Sequence, residues 1–284
     1  MLHEKTIAFI GAGSMAEAMI SGIVAAGKVP SKQIFVTNRT NTERLQQLEA
    51  AYNINGLVSQ DLALKNIDII VLAMKPKDAE TALQSINDSL QPNQLVLSVL
   101  AGITTTYMEQ YLPVGQQVIR VMPNTSSMIR ESATAISAGS YTTNENMFLA
   151  KELLKSIGEV YEIPEDQMDI FTGVAGSGPA YIYYLMEHME ATVQKAGLQE
   201  NLSRDIIAQM IIGAAKMIQQ QGETPSTLRE NVTSPNGTTA AGLAALEKNG
   251  GGKAISQAIK HAAKRSHEIS SQLEGKTAKK VQAV

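Results

Sequence analysis

A doubly wound α/β domain followed by an all-helical domain is the architecture this sequence predicts, on three observations. Short apolar runs alternate with helix-period segments through residue 163, the pattern of strands and helices laid in layers. Several runs, IDIIVLAM and QLVLSVL among them, are continuous in Val, Ile and Leu, as strands buried on both faces of a parallel sheet must be. Past Pro164 the strand-like runs stop and every long segment reads as helix. The expected division is therefore residues 1–163 and residues 164–284.

Taken in order, the expected strands are TIAFIGA, QIFVTN, IDIIVLAM, QLVLSVL, QVIRVM, TAISAG and GEVYEI. The helix after the first strand puts Met15, Met19, Ile20, Ile23 and Val24 on one face. In the second region Ile206, Ile207, Met210, Ile211, Ala214, Met217 and Ile218 form a broad apolar stripe. Ser203 is the expected N-cap of that helix and Gly222 its stop. Thr224 before Pro225 is the usual order of cap and first helical residue. A last helix is expected from about Lys253 to Leu273, with Ile255, Ala258, Ile259, Ala262, Ile269 and Leu273 inward. The polar, basic tail EGKTAKKVQAV is expected to fray. These helices are apolar over more than one small bundle would bury, which predicts self-association.

Composition bounds the function. With 44% hydrophobic residues the chain can build real cores and is not disordered. It has no cysteine, which excludes disulfides, thiolate nucleophiles and cysteine-held metal, and fits a reducing cytoplasm. A net charge of -3 offers no footprint for nucleic acid or an anionic membrane. MLHEK runs straight into a strand without a signal peptide, and the apolar runs fall short of the roughly 20 residues that span a bilayer. A soluble cytoplasmic protein without metal is the expectation.

Gly11-Ala12-Gly13-Ser14-Met15-Ala16 fits G-x-G-x-x-G/A between a strand and a helix, the context a dinucleotide fingerprint requires. Gly11 permits the tight turn. Gly13 lets backbone amides approach a pyrophosphate at the positive helix end, and Ala16 keeps helix and strand close. The first domain is thus read as Rossmann-type. A dinucleotide domain for NAD usually ends its second strand with Asp or Glu on the ribose 2′-OH. Here that end reads Thr37-Asn38-Arg39-Thr40, and a guanidinium with short polar neighbours suits a 2′-phosphate. NADPH is favoured over NADH.

A reductase must also supply a proton, usually from His, Lys or Tyr. His3, His188, His261 and His267 stand before the first strand or within helices, positions of surface or packing residues. Lys75, in LAMKP beyond a strand end, is better placed, although Pro76 beside it signals a helix start. No strong acid is needed if the substrate is a cationic imine carrying its own proton. Thr233-Ser234-Pro235-Asn236-Gly237-Thr238-Thr239 reads as a turn opening a helix, either a plain Ser/Thr-capped start or one whose free amides and hydroxyls make a seat for a small carboxylate.

These residues carry a resemblance. FIGAGSMA (9–16), AMKP (73–76), RVMPNT (120–125), GSGPAY (176–181) and VTSPNGTTAAGL (232–243) resemble the pyrroline-5-carboxylate reductase family over nearly the whole chain. The resemblance implies NAD(P)H-dependent reduction of L-1-pyrroline-5-carboxylate to L-proline, with helices that pair two subunits, often into decamers, and a site spanning both. It implies that Gly11 through Ala16 hold pyrophosphate, and Asn38, Arg39 and Thr40 the adenosine end. Ala73, Met74, Lys75, Pro76, Ala101 and Gly102 would line the nicotinamide side, with Asn231 near the cofactor. Ser234, Asn236, Gly237, Thr238 and Thr239 would hold the substrate, the Thr239 hydroxyl meeting the imine nitrogen. Glu165, a lone exposed carboxylate before a helix, matches an acidic position that approaches substrate or simply complements the helix dipole.

Two positions depart from the family pattern. Asn236 stands where the family usually has glycine, and Gln60 where it tends to have asparagine. Asn tolerates left-handed backbone, so the turn is expected to survive. Other readings stay open: a non-catalytic NADPH-binding regulator, toward which Asn236 leans, or a reductase of another cyclic imine. A β-hydroxyacid-type dehydrogenase shares the glycine start but uses a lysine that GVAGSGPAYIYYLMEHM lacks.

Overall fold

The computed structural model describes residues 2–281, with side chains described through residue 273. The frayed tail expected past Leu273 lies outside those side chains. Two compact units result: one takes in the chain up to Ser177 and again from His261 onward, the other is Gly178–Lys260.

In the first unit the chain runs β1 (Ile7–Ile10), α1 (Ser14–Ala26), β2 (Ile34–Asn38), α2 (Thr42–Tyr52), β3 (Asn55–Val58), β4 (Ile69–Leu72), α3 (Ala79–Asn87) and β5 (Leu95–Ser98). It continues through α4 (Thr105–Tyr111), β6 (Gln117–Met122), β7 (Ser132–Ala138), α5 (Asn144–Leu154), β8 (Gly158–Glu162) and the short α6 (Met168–Phe171). The strands form one sheet in the order β3-β2-β1-β4-β5-β6-β7-β8. Its first six positions are those of a doubly wound dinucleotide fold. Both faces are covered. Along β4, Ile69 and Val71 join Phe9, Met19, Ile20 and Leu48 on one side, while Ile70 and Leu72 join Leu83, Val96 and Met108 on the other. Each of these four β4 side chains is fully buried, which is why the strand reads as an unbroken apolar run.

The sheet departs from expectation twice. β3 is not among the strands read from the sequence, because NGLV has no apolar run and its four residues are half-buried; pairing with β2 makes it a strand. The sheet is also not wholly parallel, since β7 runs antiparallel to β6. Residues 123–131 between them hold only a turn and a 3-10 segment, too short for the dozen or more residues of a parallel crossover. β7 and β8, joined through α5, are parallel again.

The second unit consists of α7 (Gly178–Lys195), α8 (Glu200–Gln221), α9 (Pro225–Asn231), α10 (Thr238–Lys248) and the first turns of α11 (Gly251–Val281). Gly222 ends α8 in the left-handed conformation, and Thr224 caps α9 by accepting from Thr227 N. Ser203 is not the cap expected of it. The helix already starts at Glu200, and the buried Ser203 hydroxyl donates to Gln199 O at 2.8 Å, one turn back. Within this unit Ser203 and Ile207 alone are buried among the described residues. Ile206, Met210, Met217 and Ile218 are about half exposed, and so is Ile255 of α11, expected inward. Farther along α11, in the first unit, Ser266 and Ser270 are buried instead.

Candidate functional site

β1 and β4 are adjacent and parallel, and α1 and α3 leave their C-terminal ends, the place where such sheets bind ligands. A cleft of about 980 Å³ opens there. Gly11, Ala12, Gly13, Ser14 and Met15 line it from the β1–α1 turn, Asn38, Arg39 and Thr40 from the end of β2, and Ala73, Met74 and Lys75 from the end of β4. Gly11 has φ +114°, and a Cβ there would stand 2.6 Å from Ala73 O, so the turn admits only glycine. Gly13 precedes α1 without any side-chain cap, which leaves the first helical N–H groups for an acceptor from outside. Ala16 is fully buried behind the turn, where a larger side chain would part helix and strand. Among the described lining residues Arg39, Lys75 and Lys77 are cationic and Asp78 is the one carboxylate. A site with free helix amides and a cationic excess fits a phosphorylated dinucleotide.

The adenosine end is shaped by backbone turns. Asn38 Oδ1 accepts from Thr40 N at 3.2 Å and Asn41 N at 3.1 Å, folding the loop so that Arg39 and Thr40 are exposed at the cleft. Asn41 then caps α2 by accepting from Arg44 N. Gln60 also lines the cleft. Pro76 starts the 3-10 turn expected beside Lys75.

Sequence reasoning missed Arg44. Its Nε donates to Ala12 O at 3.1 Å, and its Nη2 pairs with Glu17, whose other oxygen accepts from Tyr52 Oη at 3.3 Å. The glycine turn is therefore buttressed from α2. The detectable signal was a basic residue one turn inside the helix that follows Arg39.

Ala101 and Gly102, just past the C-terminal end of β5, and Glu165 are not among the described residues lining that cleft. Ala101 packs against Met122, Ala135 and Met168, and a Cβ on Gly102 would stand 2.6 Å from Ile269 Cγ2. Glu165 is not the lone exposed carboxylate the sequence suggested. It accepts from Thr105 N at 2.8 Å and from Thr105 Oγ1, and it pairs with the buried Arg120 at 3.4 Å. Asp169 approaches the same guanidinium at 3.7 Å and accepts from Ser266 Oγ at 2.7 Å. Arg120 opens the RVMPNT motif, to which the sequence alone assigned no role.

The second unit carries the remaining residues. Gly237 N donates to Ser234 O at 3.0 Å, closing a turn with Pro235 second and Asn236, φ +59°, third. Those are the positions a type II turn gives to proline and to a residue with positive φ, so asparagine keeps the turn that glycine would make. Gly237 stands at the cap position of α10 without a side-chain cap, and a Cβ on it would run into Ser234 Oγ. Thr238 and Thr239, the first residues of α10, are exposed. Asn231 ends α9, also exposed.

Comparison with known proteins shows the family of the chain. A family model described as pyrroline-5-carboxylate reductase dimerisation matches residues 165–269, and one described as NADP oxidoreductase, coenzyme F420-dependent, matches residues 6–102. Pyrroline-5-carboxylate reductase 1 of Bacillus subtilis is 62% identical, over 96% of this chain and 92% of its own. Pyrroline-5-carboxylate reductase 2 of the same organism is 44% identical, over 95% and 97%. A Coxiella burnetii pyrroline-5-carboxylate reductase structure superposes with TM-score 0.86 at 30% identity, covering 94% of this chain and 98% of that one. The Plasmodium falciparum pyrroline carboxylate reductase, solved with NADP bound, gives 0.87 at 27% identity, covering 95% and 100%. Among the described residues no helix is long and apolar enough to cross a membrane. With that identity across nearly its whole length, the chain belongs to the pyrroline-5-carboxylate reductase family.

Proposed function

We propose that this chain reduces L-1-pyrroline-5-carboxylate to L-proline with NADPH, with NADH as the weaker donor. The observation that carries the reading is the 62% identity over 96% of the chain to a reductase of that name. The bound reduced nicotinamide supplies a hydride. The chain's own residues bind and orient. The β1–α1 turn and the amides of α1 take the pyrophosphate, and Arg39 takes the 2′-phosphate. Ala73 to Pro76, with Ala101, Gly102 and Asn231, serve the nicotinamide side. The α10 amides, with Ser234, Asn236, Gly237 and Thr238, hold the substrate carboxylate and ring. The Thr239 hydroxyl meets the imine nitrogen. A protonated imine brings its own proton, so orientation and charge placement suffice.

The division of labour falls at residue 164, supported by a dimerisation match that begins at residue 165. The chain self-associates through its C-terminal helices as a dimer, and further as a decamer. The half-exposed Ile206, Met210, Met217 and Ile218 support this, since a small unit with so little buried surface gains stability by pairing. A cysteine-free chain suits the cytoplasm.

The test is imine-dependent NADPH oxidation by purified protein without added metal. Thr239→Ala should lower kcat about 10²-fold, because the hydroxyl that accepts from the iminium N–H would no longer orient the ring for hydride transfer, with NADPH affinity retained. Unchanged turnover would remove Thr239 from the reaction. NADPH binding without any imine reduction by the unaltered protein would make it a non-catalytic relative.

A further inference from the structure

We propose that Asp78 sets cofactor specificity by competing with the 2′-phosphate of NADPH for the Arg39 guanidinium. This rests on the reading that Arg39 receives that phosphate. Asp78 stands at the cap position of α3, where an aspartate ordinarily accepts a helix N–H, yet it makes no side-chain cap bond. Its Oδ1 lies 3.9 Å from Arg39 Nη2 instead. Both residues line the one cleft, Arg39 from the loop after β2 and Asp78 from the loop before α3. Asp78 is the sole carboxylate among the described lining residues, beside Arg39, Lys75 and Lys77.

The pair is built to exchange. The Arg39 side chain is 61% exposed and that of Asp78 35%, and a long, exposed ion pair is weak. A 2′-phosphate carries nearly two charges and offers short, bidentate, charge-assisted bonds, so it takes the guanidinium from the carboxylate. NADPH must displace Asp78 before it gains Arg39. NADH, with a neutral hydroxyl there, has no such contest. Asp78 thus lowers NADPH affinity selectively and moderates the preference that Arg39 creates.

The experiment measures dissociation constants of NADPH and NADH, by fluorescence of the reduced nicotinamide, on full-length wild type, Asp78→Asn, Arg39→Ala and the double variant. Asp78 makes no side-chain cap bond, and asparagine keeps its shape without its charge, so α3 is preserved. Asp78→Asn should tighten NADPH by about two- to fivefold, the range for releasing an exposed ion pair. It should leave NADH within about twofold, with the gain shrinking as salt rises. In the Arg39→Ala background the Asp78→Asn effect should vanish. A gain that persists there means direct repulsion and overturns the competition. So does equal tightening of both cofactors, no change, or weaker NADPH binding. If Arg39→Ala alone leaves the NADPH-to-NADH ratio unaltered, the 2′-phosphate reading itself fails. A ratio that falls in Arg39→Ala but stays fixed in Asp78→Asn sinks only the role given to Asp78.

Discussion

Gly11→Ala would place a methyl group where the structure leaves no room. The added Cβ would stand 2.6 Å from Ala73 O, 2.7 Å from Ala73 C and 2.8 Å from Met74 N. All three are backbone atoms just past β4, which is hydrogen-bonded to β1, so they cannot swing aside as a side chain would. Backbone strain at φ +114° costs about 1–3 kcal/mol, and overpacking about 1–3 kcal/mol more. The sum is roughly 2–6 kcal/mol, a large part of an ordinary folding free energy of about 5–15 kcal/mol. Gly27→Ala is the matched control. Gly27 also has positive φ, +64°, but nothing lies within 4 Å of its added Cβ, so it loses only the backbone cost of about 1–2 kcal/mol. Thermal melting of the two variants separates clash from backbone strain. Positive-φ strain is common to both. The overpacking of about 1–3 kcal/mol, at about 2–4 °C per kcal/mol for a chain of this size, should therefore make Gly11→Ala melt about 2–12 °C below Gly27→Ala. Gly11→Ala should also lose NADPH binding that Gly27→Ala retains. Melting points within about 2 °C of each other would refute the steric reasoning.

Other perturbations test other parts of the site. Arg44→Met removes the donor to Ala12 O and the Glu17 pair; NADPH and NADH affinities should both fall, about five- to tenfold, because the pyrophosphate is common to them. A change in their ratio alone would count against that role. Glu165→Gln leaves the buried Arg120 charge with Asp169 as its remaining carboxylate and should lower stability by about 1–3 kcal/mol in urea titration. Intact stability with a raised KM for the imine would instead put the carboxylate against substrate. Lys155, bonding to Glu152, holds that carboxyl below its usual 4.5. A lowered folded pKa gives stability that is present above the unfolded value and lost as pH falls through the folded one. Glu152→Gln should therefore cost under about 1 kcal/mol at neutral pH, and the two proteins should converge as pH falls through the lowered folded value of that carboxyl.

Much of the fold was legible because it is written locally. The runs of β1, β4 and β5 announce strands buried on two faces, and the Gly11–Ala16 spacing announces the turn. Thr224-Pro225 and Gly222 mark real helix ends. β3 was not legible, because NGLV becomes a strand only by pairing with β2. The direction of β7 follows from a short connection, visible in the sequence only once both neighbouring strands are known. Ser203 misled because a serine four residues into a helix looks like a cap when the polar first turn is read as loop. Glu165 looked solitary because its partners, Thr105 and Arg120, are distant in the chain.

The sequence by itself determined the chemistry offered at each turn: glycine where φ must be positive, a guanidinium rather than a carboxylate after β2, and Pro235-Asn236 before α10. Each depends on neighbours within a few residues, whose geometry the backbone fixes. Tertiary structure alone decided which distant groups meet: Arg44 with Ala12, Arg120 with Glu165 and Asp169, Asp78 with Arg39. Those pairings follow from strand order and from which loops flank one cleft. Side-chain charge is screened beyond about 8 Å in water at physiological salt, so partners of this kind exist only after the sheet has brought them together.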